Sequence, residues 1–167
     1  GVAFTKGLQG NSEVLRTAAC AKHFAAHSGP EAIRHEYNVE VSQKDLEETY
    51  LPAFKASRRS FTCSIICVYF SSFAFSSSTF ANGEPGCASN YLMNKLEEWG
   101  FDGHFVSDCW ALRDFHTSHH ITKTAPESAA LALKTGCDLN CGNTYLNLLI
   151  AFQEGLISES DIRKSCI

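Results

Sequence analysis

Asp108 closes the apolar run His104-Phe105-Val106-Ser107. A carboxylate at a strand end is placed either for nucleophilic chemistry or for capping the next turn. A nucleophilic carboxylate must stay ionised near neutral pH, which requires hydrogen-bond donors or positive charge beside it. Lys22 and His23 stand near the end of another short, largely apolar run, Ala18 to Phe24. Lysine brings three donors, and a neutral histidine one donor and one acceptor. A surface lysine beside a packed histidine is the plain reading of this pair. His116, His119 and His120 are close in sequence, but Thr117, Ser118 and the lack of spaced carboxylates favour a solvated loop over a metal site. Eight cysteines are present, with no CxxC pair, which argues against a zinc ribbon. Their number admits an oxidising compartment, extracellular or periplasmic.

The elements that must position these groups alternate. Ala18–Phe24 and His104–Ser107 read as strands, and Cys137–Asn140 as a third, shorter one. Ser42 caps a helix, with Asp45 in its first turn, and Pro52 ends or kinks it. Leu92–Trp99 is an amphipathic helix closed by Gly100. A further helix runs from about Pro126 to Lys134, with Gly136 beyond it. Asn147–Glu154 is another, and Ser158 caps the last, with Asp161 at its third position. Strands alternating with helices predict an α/β fold with a parallel sheet or barrel. Polar residues gathered at strand C-termini are what a (β/α)8 barrel uses for its site. That fold takes about 250 residues, so the 167 residues here supply an open, partial barrel. The chain opens on Gly1 rather than methionine, which is the expectation for a piece of something larger.

One segment departs from this pattern. Residues 57–81 hold eight serines, five phenylalanines and no acid. Phe61–Asn82 carries no charge and is long enough to span a bilayer, but its serines make a poor membrane helix. Ile65–Phe70 fits a buried strand. The bland reading is an aberrant translation, such as intron read-through or a local frameshift. The formal charge of -4 argues against nucleic acid or an anionic membrane as partner.

Several stretches together resemble glycoside hydrolase family 3, in particular its β-xylosidase and β-glucosidase branch. They are Ala21-Lys22-His23-Phe24, Gly29-Pro30-Glu31-Ala32 with Arg34-His35, and Asp45-Leu46 through Thr49-Tyr50-Leu51-Pro52-Ala53-Phe54. Asn82-Gly83-Glu84-Pro85 with Cys87-Ala88-Ser89, then Trp99-Gly100-Phe101-Asp102-Gly103, continue the series. Val106-Ser107-Asp108-Cys109, Asp138-Leu139-Asn140-Cys141-Gly142 and Gly155-Leu156-Ile157-Ser158-Glu159 complete it. The resemblance implies a partial TIM-type (β/α)8 barrel over residues 1–167, the N-terminal catalytic domain of a retaining β-glycosidase, interrupted at 57–81. It implies that Asp108 is the nucleophile and that Lys22 and His23 hold sugar hydroxyls. Trp110 either stacks on a sugar ring or packs in the core. Arg34-His35 is assigned to the shape of its loop. The Asp108-Cys109 and Asn140-Cys141-Gly142 motifs lean toward xylosides or arabinosides, and Cys109 and Cys141 fall at adjacent strand ends where they can pair. The implied partner is a β-linked oligosaccharide or glycoside, with no cofactor and no metal. The family's general acid/base and its upstream barrel strands have no counterpart in this chain, and Ser78-Thr79 stand where an aromatic-Asn pair is usual. A carbohydrate-binding remnant without catalysis and a non-functional gene product are the alternatives.

Overall fold

A computed structural model describes residues 1–27, 29–58, 64–67 and 84–166. The membrane-span reading of Phe61–Asn82 and the departure at Ser78-Thr79 fall largely or wholly outside them. Among the described residues no helix is long and apolar enough to cross a membrane.

Helix α1 (Val2–Gln9) leads to strand β1 (Cys20–Phe24). Gln9 is buried, and its side-chain carbonyl accepts from the Ala19 amide at 3.0 Å, fixing the entry to β1. Ser42 then caps the short helix α2 (Gln43–Asp45) by accepting from the Asp45 amide at 3.0 Å. The chain passes through a π-helical turn, Leu46–Tyr50, into α3 (Leu51–Arg58). Pro52 neither ends nor breaks this helix. It falls in the first turn of α3, where its missing amide hydrogen costs least, and the widened turn before it accommodates the ring.

Strand β2 (Ser64–Cys67) lies between β1 and β3 (His104–Ser107), and both pairings are parallel. The expectation of β1, His104–Ser107 and Cys137–Asn140 as the three strands is therefore corrected. The central strand comes from within the serine-rich segment, in partial agreement with a buried strand at Ile65–Phe70. Cys137–Asn140 contributes only a single parallel bridge, Leu139 to Val106. Two bonds make that bridge: the Leu139 amide donates to the Phe105 carbonyl at 3.2 Å and the Ser107 amide to the Leu139 carbonyl at 2.9 Å. Beyond it the backbone turns away, held by side chains instead of strand hydrogen bonds.

Helix α4 (Asn90–Glu98) precedes β3, capped by Ser89. After β3 come α5 (Asp114–Thr117), α6 (Ala125–Thr135), α7 (Leu148–Gln153) and α8 (Glu159–Lys164). Gly136, at φ 107°, closes α6 in the left-handed conformation that glycine adopts without steric cost. The Ser158–Asp161 capping box starts α8. Phe24, Phe105, Leu46, Leu51, Leu92, Leu96, Leu112 and Phe115 form the main core. Phe24 meets Phe54, Trp99 and Phe105 edge-on. A smaller cluster of Ala130, Leu133, Ala151 and Ile157 joins α6 to α7 and the start of α8. Three parallel strands with helices between them form part of a (β/α)8 barrel, an open arc as the sequence predicts.

Candidate active site

The three parallel strands bring their C-terminal ends to one edge of the sheet, and the candidate residues gather there. Asp108 follows β3 directly, and its side chain is 17 % exposed. Its Oδ1 accepts from the Cys109 amide at 2.8 Å. Its Oδ2 lies 3.3 Å from Nε2 of His23, two strands away on β1. The sheet order thus does what the sequence spacing alone does not: it closes 85 residues of separation into one contact.

His23 carries a lowered pKa. Burial disfavours its charged form most, the Asp108 carboxylate acts against that, and the positive fields of Lys22 and His27 add to the lowering. His27 is the neighbour that sequence reasoning missed; its ring lies 4.6 Å from that of His23, tilted by 46°. A histidine four residues on from another signals nothing unless the backbone is known to turn between them. Lys22 is exposed on β1. His23 is the group in contact with Asp108, and the lysine charge bears on His23.

Trp110 is 49 % exposed, outside the core of the described residues. Its backbone is left-handed, φ 71°, a conformation costly for a residue with a Cβ. Its amide donates to the Cys141 carbonyl at 2.6 Å, which holds it there, and Gly142, at φ 143°, lies beside its backbone.

The stretch 137–142 is laced to β3 from several directions. The Asp138 carboxylate accepts from the Phe105 amide at 2.8 Å. Ser107 is fully buried, and its Oγ accepts from Asn140 Nδ2 and from the Cys141 amide, each at 3.0 Å. Asn140 Oδ1 accepts from the Tyr145 amide at 3.1 Å. The Tyr145 hydroxyl donates to the Cys137 carbonyl. Cys109 and Cys141 form a disulfide with Cα atoms 4.2 Å apart, as the two strand-end motifs suggested. Cys137 is a buried thiol, and burial pushes its pKa up to about 12.

The loop bearing Arg34-His35 is pinned to the same region. His35 Nδ1 lies 2.7 Å from Oδ2 of the buried Asp114, which supports reading these residues as loop-shaping. Asp114 also accepts from Ser118 and Thr117, so its oxygens are occupied. His116 departs from the solvated-loop expectation. It lies on α5, half-buried, with Nδ1 2.8 Å from Ser128 Oγ at the start of α6. Its pKa is lowered, first by burial and then by Arg113.

What these positions can do chemically is attack carbon with a fixed, half-buried carboxylate, while a largely neutral imidazole and an exposed lysine offer hydrogen bonds to hydroxyls. The sequence profile described as Glycosyl hydrolase family 3 N terminal domain matches residues 1–166. A xylan 1,4-β-xylosidase of Xylanibacter ruminicola is 37% identical over 175 residues, covering 100% of this chain and 19% of the relative. An exo-1,4-β-xylosidase of Emericella nidulans is 40% identical over 175 residues, covering 95% of this chain and 21% of the relative. Among solved structures, a family 3 exo-β-xylosidase in complex with a xylobiose aziridine probe superimposes with a TM-score of 0.85 at 25% identity, over 98% of this chain and 22% of the other. A β-glucosidase of Listeria innocua in complex with isofagomine gives 0.82 at 26% identity, over 98% and 23%. The chain therefore spans about a fifth of the length of these relatives. Sequence profile, relatives and barrel geometry agree, and this chain belongs to glycosyl hydrolase family 3, where it matches part of the N-terminal domain.

Proposed function

We propose that residues 1–167 form part of the catalytic barrel domain of a retaining β-glycosidase, with Asp108 as nucleophile and β-xylosides as the favoured substrates. The observation that carries this reading is Asp108 itself: a carboxylate at a parallel strand's C-terminal end, oriented by the Cys109 amide and facing His23. In the proposed reaction one carboxylate oxygen attacks the anomeric carbon and the glycosidic bond to the leaving oxygen breaks. The resulting glycosyl ester is then cleaved by water, with net retention. His23 and Lys22 hold sugar hydroxyls, and the exposed Trp110 ring offers a stacking face. The xyloside preference rests on the relatives named above and on the Asp108-Cys109 and Asn140-Cys141-Gly142 motifs.

Retention requires a second carboxyl about 5 to 5.5 Å from the nucleophile to protonate the leaving oxygen. Asp114 is buried and engaged with His35, and Asp102 is exposed in the turn before β3, at the strand's other end. Neither takes that part, so the acid/base comes from outside these residues. Turnover of xylobiose by the 167-residue chain is accordingly negligible. An aryl 2-fluoroxyloside has a leaving group that needs little protonation, so it glycosylates Asp108 slowly. Intact-mass and peptide mass spectrometry after incubation tests this. A single adduct on the peptide bearing Asp108 is expected. An adduct on another carboxylate would overturn the assignment, and robust xylobiose hydrolysis would overturn the incompleteness.

A further inference from the structure

We propose that the Cys109–Cys141 disulfide is a redox lock on the candidate nucleophile, so that a small dithiol reductant switches Asp108 from a fixed to a loose carboxylate. The inference rests on the reading of Asp108 as nucleophile for its functional consequence, but not for its structural one.

The lock is built from contacts on one short turn. The amide that orients the Asp108 carboxylate belongs to Cys109, so whatever holds Cys109 holds the carboxylate. Cys109 is exposed, its preceding strand ends at Ser107, and it is covalently tied to Cys141. The next residue, Trp110, is kept left-handed at φ 71° against its own steric preference. Without the covalent tie, the turn retains the Trp110 amide bond to the Cys141 carbonyl and the Cys141 amide bond to Ser107. Those bonds hold residues 107 and 110, but the Cys109 side chain no longer resists relaxation of the strained residue beside it.

The bond is reachable by a small reductant. Cys109 is exposed and Cys141 half-buried, so a thiolate can approach the Cys109 sulfur from solvent. The attacking thiolate forms a mixed disulfide with Cys109, and the Cys141 sulfur leaves and takes up a proton. The second thiol of the reductant then displaces Cys109. Two electrons and two protons pass to the protein, giving two thiols, and the dithiol becomes a disulfide. The nearby thiol of Cys137 does not short-circuit the switch, because it is buried and remains protonated, and only thiolates exchange.

Amide hydrogen exchange on the 167-residue chain tests the lock, read separately for residues 107–112 and for α6. Reduction is stopped when mass spectrometry locates thiols at Cys109 and Cys141. Exchange at the Cys109 amide then rises about tenfold or more, while α6 is unchanged. Cys141→Ala gives the same rise in a chain never exposed to reductant. If that variant loses protection in α6 as well, the partially reduced chain decides. Equal exchange in both redox states overturns the lock, whatever labelling does. In the functional arm, an aryl 2-fluoroxyloside labels Asp108 about tenfold more slowly at saturation after reduction, with the half-saturating concentration within about twofold. Oxidised glutathione restores the rate. If the exchange changes but Asp108 takes no label in either state, the lock stands and the nucleophile assignment falls.

Discussion

Two clusters of charge sit on different parts of the molecule, and they are built on opposite plans. On the helices, Lys95 Nζ lies 2.9 Å from Glu47 and 3.3 Å from Glu98, and the Tyr91 hydroxyl donates to Glu47. Each member stabilises the charge of another. The Tyr91 hydrogen bond is the main cause that lowers the Glu47 pKa, and the Glu47 hydrogen bond the main cause that raises that of Lys95. At the strand ends, Asp108 and His23 are 3.3 Å apart, and burial holds His23 toward its neutral form. The first cluster is closed on itself. The second keeps a carboxylate oxygen and an imidazole in a loose contact that a ligand hydroxyl can replace. A hollow of about 900 Å3, walled by Lys6, Glu47, Lys55, Lys95, Glu98 and Trp99, adjoins the closed cluster. That cluster has no free carboxylate at a strand C-terminus, whereas the proposed site is built around one.

The sharpest way to break this comparison is Asp108→Asn. The amide oxygen still accepts from Cys109, so the turn keeps its geometry while the nucleophile is lost. Adduct formation with an aryl 2-fluoroxyloside should fall by at least about a hundredfold, to below detection by mass spectrometry. Labelling that survives would move the chemistry elsewhere. Ser107→Ala comes next. It leaves the half-buried Cys141 amide and the Asn140 side chain without their shared acceptor. A loss of about 1 to 3 kcal/mol is expected, read as a lower denaturant midpoint at unchanged slope.

What the sequence made legible follows from how local each signal is. β3 and Asp108 were readable because an apolar run ending in a carboxylate is contiguous. The helices at Asn90–Glu98, Ala125–Thr135 and Glu159–Lys164 were readable from their caps and periodicity. β2 was legible only in part, as a buried strand at Ile65–Phe70 with its bounds misplaced, because serine and phenylalanine in a long uncharged run give no period and no boundary. Cys137–Asn140 looked like a strand by composition, but only one bridge forms, since Ser107, Asn140 and Tyr145 satisfy the remaining polar groups. The His23–Asp108 and His35–Asp114 contacts depend on strand order, which no local spacing records.

A third expectation uses pH to sharpen the contrast. His23 has its folded pKa below the ordinary 6.5. On acidification the unfolded chain takes up its proton first, so His23 costs stability as pH falls from about 6.5 to its folded value. His116, also lowered, contributes in the same window and sense. Glu47 acts lower down: its folded pKa is depressed, so its contribution is present above 4.5 and is lost as pH falls below that value. Midpoints measured between pH 8 and 4 should therefore decline in two stages. Lys22→Met removes one positive field and should raise the His23 pKa, followed by the NMR shift of its ring proton. An unchanged titration would show that the lysine charge does not reach His23.

Glu47→Gln probes the closed cluster and should have the smallest effect. The neutral amide still accepts from the Tyr91 hydroxyl, and Lys95 keeps Glu98. What is lost is one ion pair with its carboxylate 37 % exposed, worth about 1 kcal/mol or less. Labelling of Asp108 should stay unchanged, because none of these residues touches the strand ends. The variant does have a distinctive alkaline signature. Burial first, and Glu47 second, push the Tyr91 pKa up to about 12. A phenol with its folded pKa raised above 10 stabilises the fold below pH 10, and that contribution is lost as pH rises toward 12. Removing the carboxylate's charge removes its coulombic effect on Tyr91 and leaves burial and the retained hydrogen bond. The phenolate absorbance assigned to Tyr91, by difference against Tyr91→Phe, should then titrate between 10 and 12 rather than return to 10. A full return would mean that Glu47, not burial, dominates. No movement at all would mean that the carboxylate is screened by Lys95, and that the cluster is even more closed than its geometry implies.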